Sequence, residues 1–401
     1  MIKRELYLKK IRGFYKDTLL IKIIYGLRRS GKSVILTQII EELKEQGIND
    51  EQIIYINFES LDYSNITDAK SLDTYIKKLT KTKKVYYIFL DEVQKVIDFE
   101  KAINSLRIEG RYSIFITGSN SKMTFAELST ELTGRYVSFK VNPLTFKEII
   151  ELTKTPKEDY ENLILDIFEW GSLPQRFYYN DNAMKTNYIS NVYDSIVLKD
   201  VVERLGIKDI TTFNKIFQYL LEIEGKEFSS TNIMKFLANE NIKISNSTLY
   251  SYLDALCSTF LLNKVYRYDV DGKNVLKTLN KYYVSDLGVK KIKSNLKIEN
   301  YSTSLENLIY NDLIAKGYEV YIGKIKRDEV DFVVIKNKEL KYIQVSYKLA
   351  NNEKTIEREF GAYNVINDNH EKYVISLDKE DYTRNGIKHL NAIDFLMNDE
   401  F

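Results

Sequence analysis

The sequence predicts an α/β fold: a parallel sheet carrying a phosphate-binding loop, followed by further domains. Three observations predict it. Short apolar runs alternate with helical patterns through residues 1–150, an arrangement typical of a parallel sheet covered on both faces. A glycine-containing loop separates the first apolar run from a helical pattern. The chain has 401 residues, a length that accommodates about two to four domains.

The loop at 26–33 matches the phosphate-binding pattern G-x-x-x-x-G-K-[ST]. Its residues and the one that follows are expected to surround the phosphates: Gly26, Leu27, Arg28, Arg29, Ser30, Gly31, Lys32, Ser33 and Val34. Backbone amides would form the anion cradle, Lys32 would reach the β- and γ-phosphates, and Ser33 would join the Mg²⁺ shell. The flanking patterns predict a strand at 20–25 and a helix from Lys32. A chance match in a glycine turn is the alternative.

Four further runs predict the other strands of this sheet, at 53–60, 85–94, 113–121 and 136–141. Asp91 and Glu92 directly follow the apolar run of the second of them, so both carboxylates are expected at the sheet edge where ligands bind. Asp91 would hold Mg²⁺ through water, and Glu92 would polarise the attacking water. Capping of the next helix is the alternative role for these acids.

Two further positions complete the predicted site. The strand at 113–121 ends in Thr-Gly-Ser-Asn, where Ser119, or as second choice Asn120, would orient water between the acids and the γ-phosphate. Ordinary turn chemistry explains the same residues. Arg135 precedes the fifth strand, and from there it would reach the γ-phosphate held by a neighbouring subunit. Binding to a helix C-terminus is its alternative role.

Residues 209–286 read as three helices followed by a hairpin with its turn near 271–272, which together predict a winged helix. Residues 263–294 carry eight Lys or Arg and three Asp, a balance of +5. Lys264, Arg267 and Lys273 are expected to cluster on the wing and contact DNA phosphates. The third helix lacks arginine, so guanine readout is not predicted. Packing between subunits is the alternative use of this module.

Beyond residue 300 the patterns predict a helix, three strands, a helix and a strand. Glu306 lies on the first helix, Asp331 on the second strand and Gln344 on the third. The two-residue period of a strand puts Gln344, Ser346 and Lys348 on one face.

The loop at 26–33 and the segments FLDEVQ, ITGSNS, LTGR and NPLTFKE resemble the prokaryotic AAA+ ATPases that carry a C-terminal domain of unknown function. The resemblance implies an AAA+ P-loop sheet with a helical lid, and ATP and Mg²⁺ as cofactors. The segment WGSLPQ at 170–175 is similar to a Gly-x-Pro element in the lid of related switch ATPases. There Pro174 would pack near the adenine and Gly171 would allow close approach; an ordinary inter-helix turn is the alternative.

The C-terminal order of elements resembles the PD-(D/E)XK nuclease fold. That resemblance makes Glu306 the helix acid and Asp331 the strand acid of a Mg²⁺ site. Gln344 stands where a second strand acid belongs and Ser346 where the lysine belongs, with Lys348 as a substitute that would reach back into the site. An amide is a poorer ligand for a hard cation than a carboxylate, so binding of branched or duplex DNA, or a role in assembly, is predicted rather than cleavage. An exposed charged hairpin edge is the alternative for 327–332.

The composition excludes several classes of protein and of active site. A single cysteine excludes a disulfide framework and predicts a reducing, cytoplasmic setting. Two histidines nearly exclude histidine triads and zinc sites built on several histidines. No apolar run reaches the length of a membrane span. The overall charge of +2 does not indicate nucleic acid, although residues 1–22 carry a local +5, either a basic surface or a solvated helix face.

The sequence thus predicts four domains: 1–146, an AAA+ core; 147–208, a helical lid; 209–294, a winged helix; and 295–401, a PD-(D/E)XK-like domain. The predicted protein hydrolyses ATP, associates with itself into a ring or partial ring, and acts on duplex or branched DNA with weak sequence specificity. A nucleotide-controlled switch with a protein partner and an ATP-gated nuclease are the alternatives.

Overall fold

The computed structural model describes residues 2–118, 132–294, 301–325, 328–349 and 352–401. The chain divides into two compact units, Met1–Pro143 and Leu144–Phe401. The predicted boundaries at 146, 208 and 294 stay predictions. Within the described ranges, no helix has both the length and the apolar character that crossing a bilayer requires.

The first unit is built on a five-stranded sheet in which every neighbouring pair is parallel. Its strands are β1 (Ile21–Tyr25), β2 (Ile53–Asn57), β3 (Tyr86–Asp91), β4 (Tyr112–Gly118) and β5 (Tyr136–Lys140). Their order across the sheet is β2-β3-β4-β1-β5. The prediction of a five-stranded parallel sheet is confirmed.

Helices cover both faces of this sheet. Those that the structure describes are α1 (Glu5–Ile11), α2 (Lys32–Glu45), α3 (Ala69–Leu79) and α4 (Phe99–Ile108). Successive strand residues alternate between two cores: Ile23 and Ile88 pack in the core that includes α3 and α4, and Ile24 and Phe89 in the core that includes α1 and α2. Burial on both faces explains why these strands are continuous apolar runs in the sequence.

One carboxylate of α2 binds two cations and one hydroxyl of the N-terminal segment. Glu42 accepts hydrogen bonds from Arg12 Nε at 2.9 Å and from Tyr15 Oη at 2.8 Å, and it pairs with Lys3 Nζ at 2.7 Å. The bonds from Arg12, followed by those from Lys3 and Tyr15, lower the pKa of Glu42 to about 2. Part of the positive charge in residues 1–22 therefore holds this segment against the helix that leaves the phosphate loop.

The second unit begins with a series of helices, and the strands of its sheet follow them in the chain. Its described α-helices are α5 (Phe146–Thr153), α6 (Tyr160–Trp170), α7 (Asn182–Ile196), α8 (Ile210–Glu222), α9 (Ser230–Asn239), α10 (Asn246–Ser258), α11 (Gly288–Lys293), α12 (Tyr301–Lys316), α13 (Glu353–Gly361) and α14 (Ala392–Met397). A π-helical stretch, Val197–Arg204, continues α7.

A seven-stranded mixed sheet forms the rest of this unit. Its strands are β6 (Leu262–Asp269), β7 (Asn274–Val284), β8 (Glu319–Ile325), β9 (Asp328–Lys336), β10 (Glu339–Val345), β11 (Glu371–Ser376) and β12 (Lys388–Asn391), in the order β12-β11-β10-β9-β8-β6-β7. The β6–β7 hairpin turns at the predicted place, but β6 also pairs in parallel with β8. The hairpin is therefore the edge of a sheet that continues beyond 294, and the winged helix stays a prediction.

Arg267 does not lie on an exposed wing, and this part of the prediction is wrong. Only 2% of Arg267 is exposed, and its guanidinium binds Glu227 and, at 3.0 Å, Glu329. The alternation along β6 turns Val265 and Arg267 inward and Tyr266 outward. Arg267 follows its strand neighbours into the interior because carboxylates are available there to pair with it.

Replacing Glu42 by glutamine should lower the free energy of unfolding near neutral pH by about 2 kcal/mol, the order expected for hydrogen bonds to a charged group. The pKa of Glu42 in the folded chain, about 2, lies below the ordinary 4.5. The contribution of this carboxylate is therefore present above about pH 4.5 and is lost as the pH falls through about 2. Urea unfolding followed by circular dichroism measures it.

The destabilisation by Glu42→Gln should accordingly be smaller at about pH 3 than at about pH 7. Glu41→Gln is the matched control, because Glu41 is the preceding residue of α2 and is exposed. An equal effect of the two substitutions, or an effect of Glu42→Gln that does not change with pH, would contradict the role given to this carboxylate.

Candidate functional site

The loop at 26–33 connects β1 to α2, as predicted. Gly26 and Gly31 have φ angles of +143° and +98°, which glycine adopts readily and other residues do not. A Cβ on Gly26 would also lie 2.2 Å from the carbonyl oxygen of Val141. Because α2 begins at Lys32, its unpaired first amides are at the loop, an arrangement suited to binding an anion.

Lys32 and Ser30 lie inside this loop. Lys32 is buried, and its Nζ donates to the carbonyl oxygens of Gly26 at 3.2 Å and Leu27 at 3.0 Å. The Ser30 hydroxyl is buried and has no hydrogen-bond partner among the described residues. A buried hydroxyl without a partner is costly. The residues therefore fit a ligand that brings acceptor oxygens, as a phosphate does.

Arg4 binds the backbone of the phosphate loop, a contact that was not predicted from the sequence. Its guanidinium donates to the carbonyl oxygens of Ser30 at 2.8 Å and Asn142 at 3.0 Å, and its backbone N–H donates to Gln38 at 3.0 Å. A buried arginine thus connects the phosphate loop, α2 and the segment after β5. Nothing in the spacing of the sequence distinguishes Arg4 from the other cations of the N-terminus.

Asp91 lies at the end of β3 and is held by two hydroxyls. Its Oδ1 accepts a hydrogen bond from Thr117, the penultimate residue of β4, and its Oδ2 accepts one from Tyr55 at 2.9 Å. The nearby carboxylate, together with burial as the larger cause, raises the pKa of Tyr55. Both hydroxyl residues were missed, although Thr117 belongs to the segment from which the polar residue was predicted. The predicted choices, Ser119 and Asn120, lie outside the described residues.

Glu92 adopts an uncommon backbone conformation directly after Asp91. Its φ is +55° and ψ +43°, and its side chain makes no capping bond to the 3₁₀ turn that follows. Its N–H donates to Thr117 Oγ1 at 3.0 Å, and its Oε2 accepts from Gln94 Nε2 at 2.5 Å. A non-glycine residue in this region costs of order 1 kcal/mol. Helix capping therefore does not explain these acids, whereas a fixed direction for the Glu92 carboxylate does.

The strand order brings these groups to one edge. In the order β3-β4-β1, parallel strands end at the same edge, and β3 and β1 are about 10 Å apart because neighbouring strands are spaced by about 4.8 Å. Asp91, Glu92 and Thr117 therefore end beside the loop that leaves β1. Ser33 is exposed in the first turn of α2, at that edge.

Arg135 lies at the opposite edge of the sheet. Its carbonyl oxygen accepts a hydrogen bond from the N–H of Ile21, the first residue of β1. The phosphate loop leaves the other end of that strand, about 16 Å away for five residues at about 3.3 Å each. The guanidinium is exposed and donates to Asn104 of α4 at 3.3 Å.

The turn that contains Gly171 and Pro174 is fastened to Asp286. The Asp286 carboxylate accepts hydrogen bonds from the N–H of Ser172 at 2.6 Å and of Gly288 at 3.1 Å. A Cβ on Gly171 would lie 2.0 Å from Oδ1 of Asp286, so this carboxylate explains the close approach for which glycine was singled out. Burial raises the pKa of Asp286 to about 6. Pro174 begins a 3₁₀ turn, Pro174–Tyr178, and its place beside adenine stays a prediction.

A second set of predicted residues meets in the second unit. Glu306, Asp331 and Gln344 line a cavity of about 530 Å³, together with Glu329 and Glu359. Burial raises the pKa of both Glu306 and Asp331. Lys348 does not line the cavity; its Nζ lies 5.9 Å from the ring centre of Tyr347. The prediction that Lys348 reaches back into this site is wrong, because β10 ends at Val345 and the strand alternation does not continue to 348.

Comparison with known proteins agrees with the sheet and the loop. A family model described as an AAA domain matches residues 19–150, and one described as a domain of unknown function (DUF8612) matches residues 161–300. The first match contains the phosphate loop, Asp91, Glu92 and Arg135. The second extends from α6 to the segment before α12.

Solved structures give weaker likenesses. Cdc6p from Pyrobaculum aerophilum is 11% identical, with 76% of this chain and 93% of that chain covered and a TM-score of 0.30. DnaA from Aquifex aeolicus bound to AMPPCP is 17% identical, with 63% and 87% covered and a TM-score of 0.32. Both TM-scores are below 0.5, and the fold assignment rests on the family match and the strand order instead.

Two relatives match most of the chain at higher sequence identity than these solved structures do. An uncharacterized protein of Haemophilus influenzae is 36% identical over 401 residues, 99% of each chain. An uncharacterized protein of Methanocaldococcus jannaschii is 32% identical over 357 residues, which cover 86% of this chain and 78% of that protein. The chain therefore belongs to the family that these relatives represent, and its first unit carries an AAA domain of the P-loop ATPase type.

Proposed function

We propose that the protein binds ATP with Mg²⁺ and hydrolyses it at the carboxyl edge of the first sheet. The observation that carries the proposal is the position of the loop containing Lys32 and Ser30 beside Asp91 and Glu92. The loop amides and the Lys32 ammonium would hold the β- and γ-phosphates. Ser33 and Asp91 would hold Mg²⁺, which when bound neutralises charge on the transferring phosphoryl group.

The remaining groups would orient and polarise water. Thr117 binds both the Asp91 carboxylate and the Glu92 N–H, so a single hydroxyl fixes the relative positions of the two acids. Gln94 holds one oxygen of Glu92 and so fixes the direction of this carboxylate. A carboxylate held in this way would accept the proton of the attacking water as the bond to the γ-phosphate forms.

Replacing Lys32 by alanine should weaken ATP binding by roughly a hundredfold, because a charge-assisted bond to phosphate is lost. Glu92→Gln should bind ATP normally and lose turnover, because the amide cannot accept a proton. Calorimetric titration with ATP and a phosphate-release assay measure the two effects separately.

Lys44→Ala is the matched control for Lys32→Ala, since Lys44 is an exposed lysine in the last turn of the same helix. It should leave both quantities unchanged. Normal ATP affinity in the Lys32→Ala protein would overturn the proposed nucleotide site.

We further propose that subunits associate head to tail, with Arg135 of one subunit at the nucleotide of the next. The supporting observation is the position of Arg135 at the sheet edge opposite its own phosphate loop, out of reach of that loop. Leu19, 66% exposed, lies two residues before the start of β1, and Ile108, 70% exposed, ends α4 at the same edge. Exposed apolar residues around an arginine are typical of an interface, and head-to-tail contacts generate rings when the rotation closes.

Arg135→Ala protein and Lys32→Ala protein should each lack turnover, and an equal mixture should recover it. Mixed assemblies place an intact Arg135 against an intact loop at about a quarter of the head-to-tail contacts, so about a quarter of the unmodified rate is expected. Phosphate release is measured at a protein concentration that supports assembly.

The matched control is Arg107→Ala, because Arg107 also donates to Asn104, at 3.1 Å, but from within α4. It should retain turnover. If Arg135→Ala protein hydrolyses ATP at the normal rate, the proposed contact is wrong.

We also propose that the protein acts on DNA through the outward face of β6 and α10. With Arg267 buried, the support comes from Lys264, whose Nζ lies 5.3 Å from the ring centre of Tyr266, and from two exposed tyrosines, Tyr250 at 48% and Tyr266 at 39%. The helix that carries Tyr250, α10, packs against β6, which carries Tyr266. Aromatic rings beside a lysine suit base stacking with few phosphate contacts.

Tyr266→Ala should weaken binding of single-stranded DNA by about tenfold, the order expected when one stacked base loses its platform. Fluorescence anisotropy with single-stranded, duplex and branched oligonucleotides measures it. Tyr178→Ala is the control, because Tyr178 is a more exposed tyrosine of the same unit, at 66%. If DNA neither binds nor changes ATP turnover, the switch with a protein partner becomes the better proposal.

A further inference from the structure

Two acids that line the C-terminal cavity are paired with a lysine, where the resemblance to a nuclease would place a divalent cation. Three carboxylates of the cavity come from different parts of the chain: Glu306 from α12, and Glu329 and Asp331 from β9. Lys281 enters from β7, a strand outside the predicted C-terminal domain. Only 3% of Lys281 is exposed, so its charge is neutralised inside the protein and not by solvent.

Lys281 is bound by the acids of the cavity. Its Nζ lies 2.5 Å from Oε1 of Glu329 and 3.7 Å from Oε1 of Glu306. Glu306, Asp331 and Glu329 together raise the pKa of Lys281 against the opposing effect of burial. The ammonium is therefore held between two carboxylates whose oxygen atoms a metal would need.

Other groups of the protein also donate hydrogen bonds to these three carboxylates. The phenol of Tyr283 donates to Glu306, and the N–H of Val345 donates to Asp331 at 2.8 Å. Arg267 donates to the second oxygen of Glu329 at 3.0 Å. Each carboxylate is thus oriented by the protein itself, whereas a hard cation requires several of these oxygen atoms to turn toward one point.

The side-chain amide of Gln344 is also held by hydrogen bonds within the protein. Its amide oxygen accepts from the N–H of Asp331 at 3.2 Å, and its amide nitrogen donates to Glu359 at 2.8 Å. A carboxylate at this position would repel Glu359, so the amide joins β9 to α13 instead of completing a metal site. Among the described residues, no group of three or more His, Cys, Asp or Glu is arranged to hold a metal ion. The residues present do not fit Mg²⁺.

We propose that the Lys281 ammonium permanently takes the place of the divalent cation beside Glu306 and Glu329. Ser346 stands where the resemblance expects a lysine, and β7 supplies Lys281 instead, as an internal counter-ion and not as a partner of a metal. Without the metal, the site has no Lewis acid and no activated water, so it does not cleave phosphodiesters. Its role is to hold α12, β7 and β9 together as one ion-paired cluster.

Mn²⁺ alone, added to nucleotide-free protein and followed by electron paramagnetic resonance of the free ion, tests the proposal. The unmodified chain and its Asp331→Asn variant should bind Mn²⁺ equally. Lys281→Met should bind Mn²⁺ at least about tenfold more tightly, because a like charge is removed and carboxylate oxygens become available. The gain should disappear in Lys281→Met/Asp331→Asn.

Lys316→Met is the matched control. Lys316 is also buried and paired, but with one acid, Asp312, at 2.5 Å, so no Mn²⁺ site should appear. If Lys281→Met does not fold, Lys281→Met/Glu329→Gln replaces it, because removing both members of a buried pair is far better tolerated than removing one. Glu306 and Asp331 remain available in that variant.

Two results would overturn the proposal. One is Mn²⁺ binding by the unmodified chain that Asp331→Asn removes, which would mean that metal and lysine occupy the cavity together. The other is a folded Lys281 variant that binds no more Mn²⁺ than the unmodified chain, which would mean that the ammonium is not what excludes the metal. Both measurements are made without ATP, so they are independent of the nucleotide site.

Discussion

The hydrogen bond from Thr117 to Asp91 fixes the geometry of the candidate site at the carboxyl edge of the first sheet. A single hydroxyl at the end of β4 binds the carboxylate of Asp91 and the N–H of Glu92, and so sets the distance between neighbouring strand ends. Parallel strands place their carboxyl ends together, but they do not orient side chains. The hydrogen bonds of Thr117 and Tyr55 supply that orientation. The two acids are therefore positioned by the protein itself and do not need a ligand to arrange them.

A comparable constraint operates in the second unit, where β7 carries residues with two different tasks. Lys281 and Tyr283 bind the carboxylates of the C-terminal cavity. Asp286, just beyond the end of the strand, binds the turn at 171–172. Backbone and side-chain bonds between Val284 and Asn307 connect the same strand to α12. Although β7 is the edge strand of the sheet, its residues 280–284 are buried. A displacement of this end would disturb both sets of bonds, and the strand is the physical connection between the glycine turn and the cavity.

The sequence predicted those features that local constraints determine. The phosphate loop is recognisable because glycines at 26 and 31 are required by backbone angles and by the approach of Val141, and the strands are recognisable because they are buried on both faces. Arg4, Tyr55 and Lys281 were missed because their partners are distant in the chain and their spacing has no pattern. Arg267 is different: it alternates with Val265 along β6, so its inward direction could have been inferred, but charge alone suggested the surface.

The buried cations also change the meaning of the positive balance between 263 and 294. Arg267 binds Glu227 and Glu329, Lys281 binds Glu329 and Glu306, and Lys290 binds the buried Glu224. Their charges are neutralised inside the unit and contribute little to the field outside it, because opposite charges at contact distance cancel at longer range. A local count of +5 therefore overstates the attraction for a polyanion. On the DNA-binding face proposed above, Tyr266 is exposed and Lys264 is half-buried, and the binding strength would come from stacking more than from phosphate contacts.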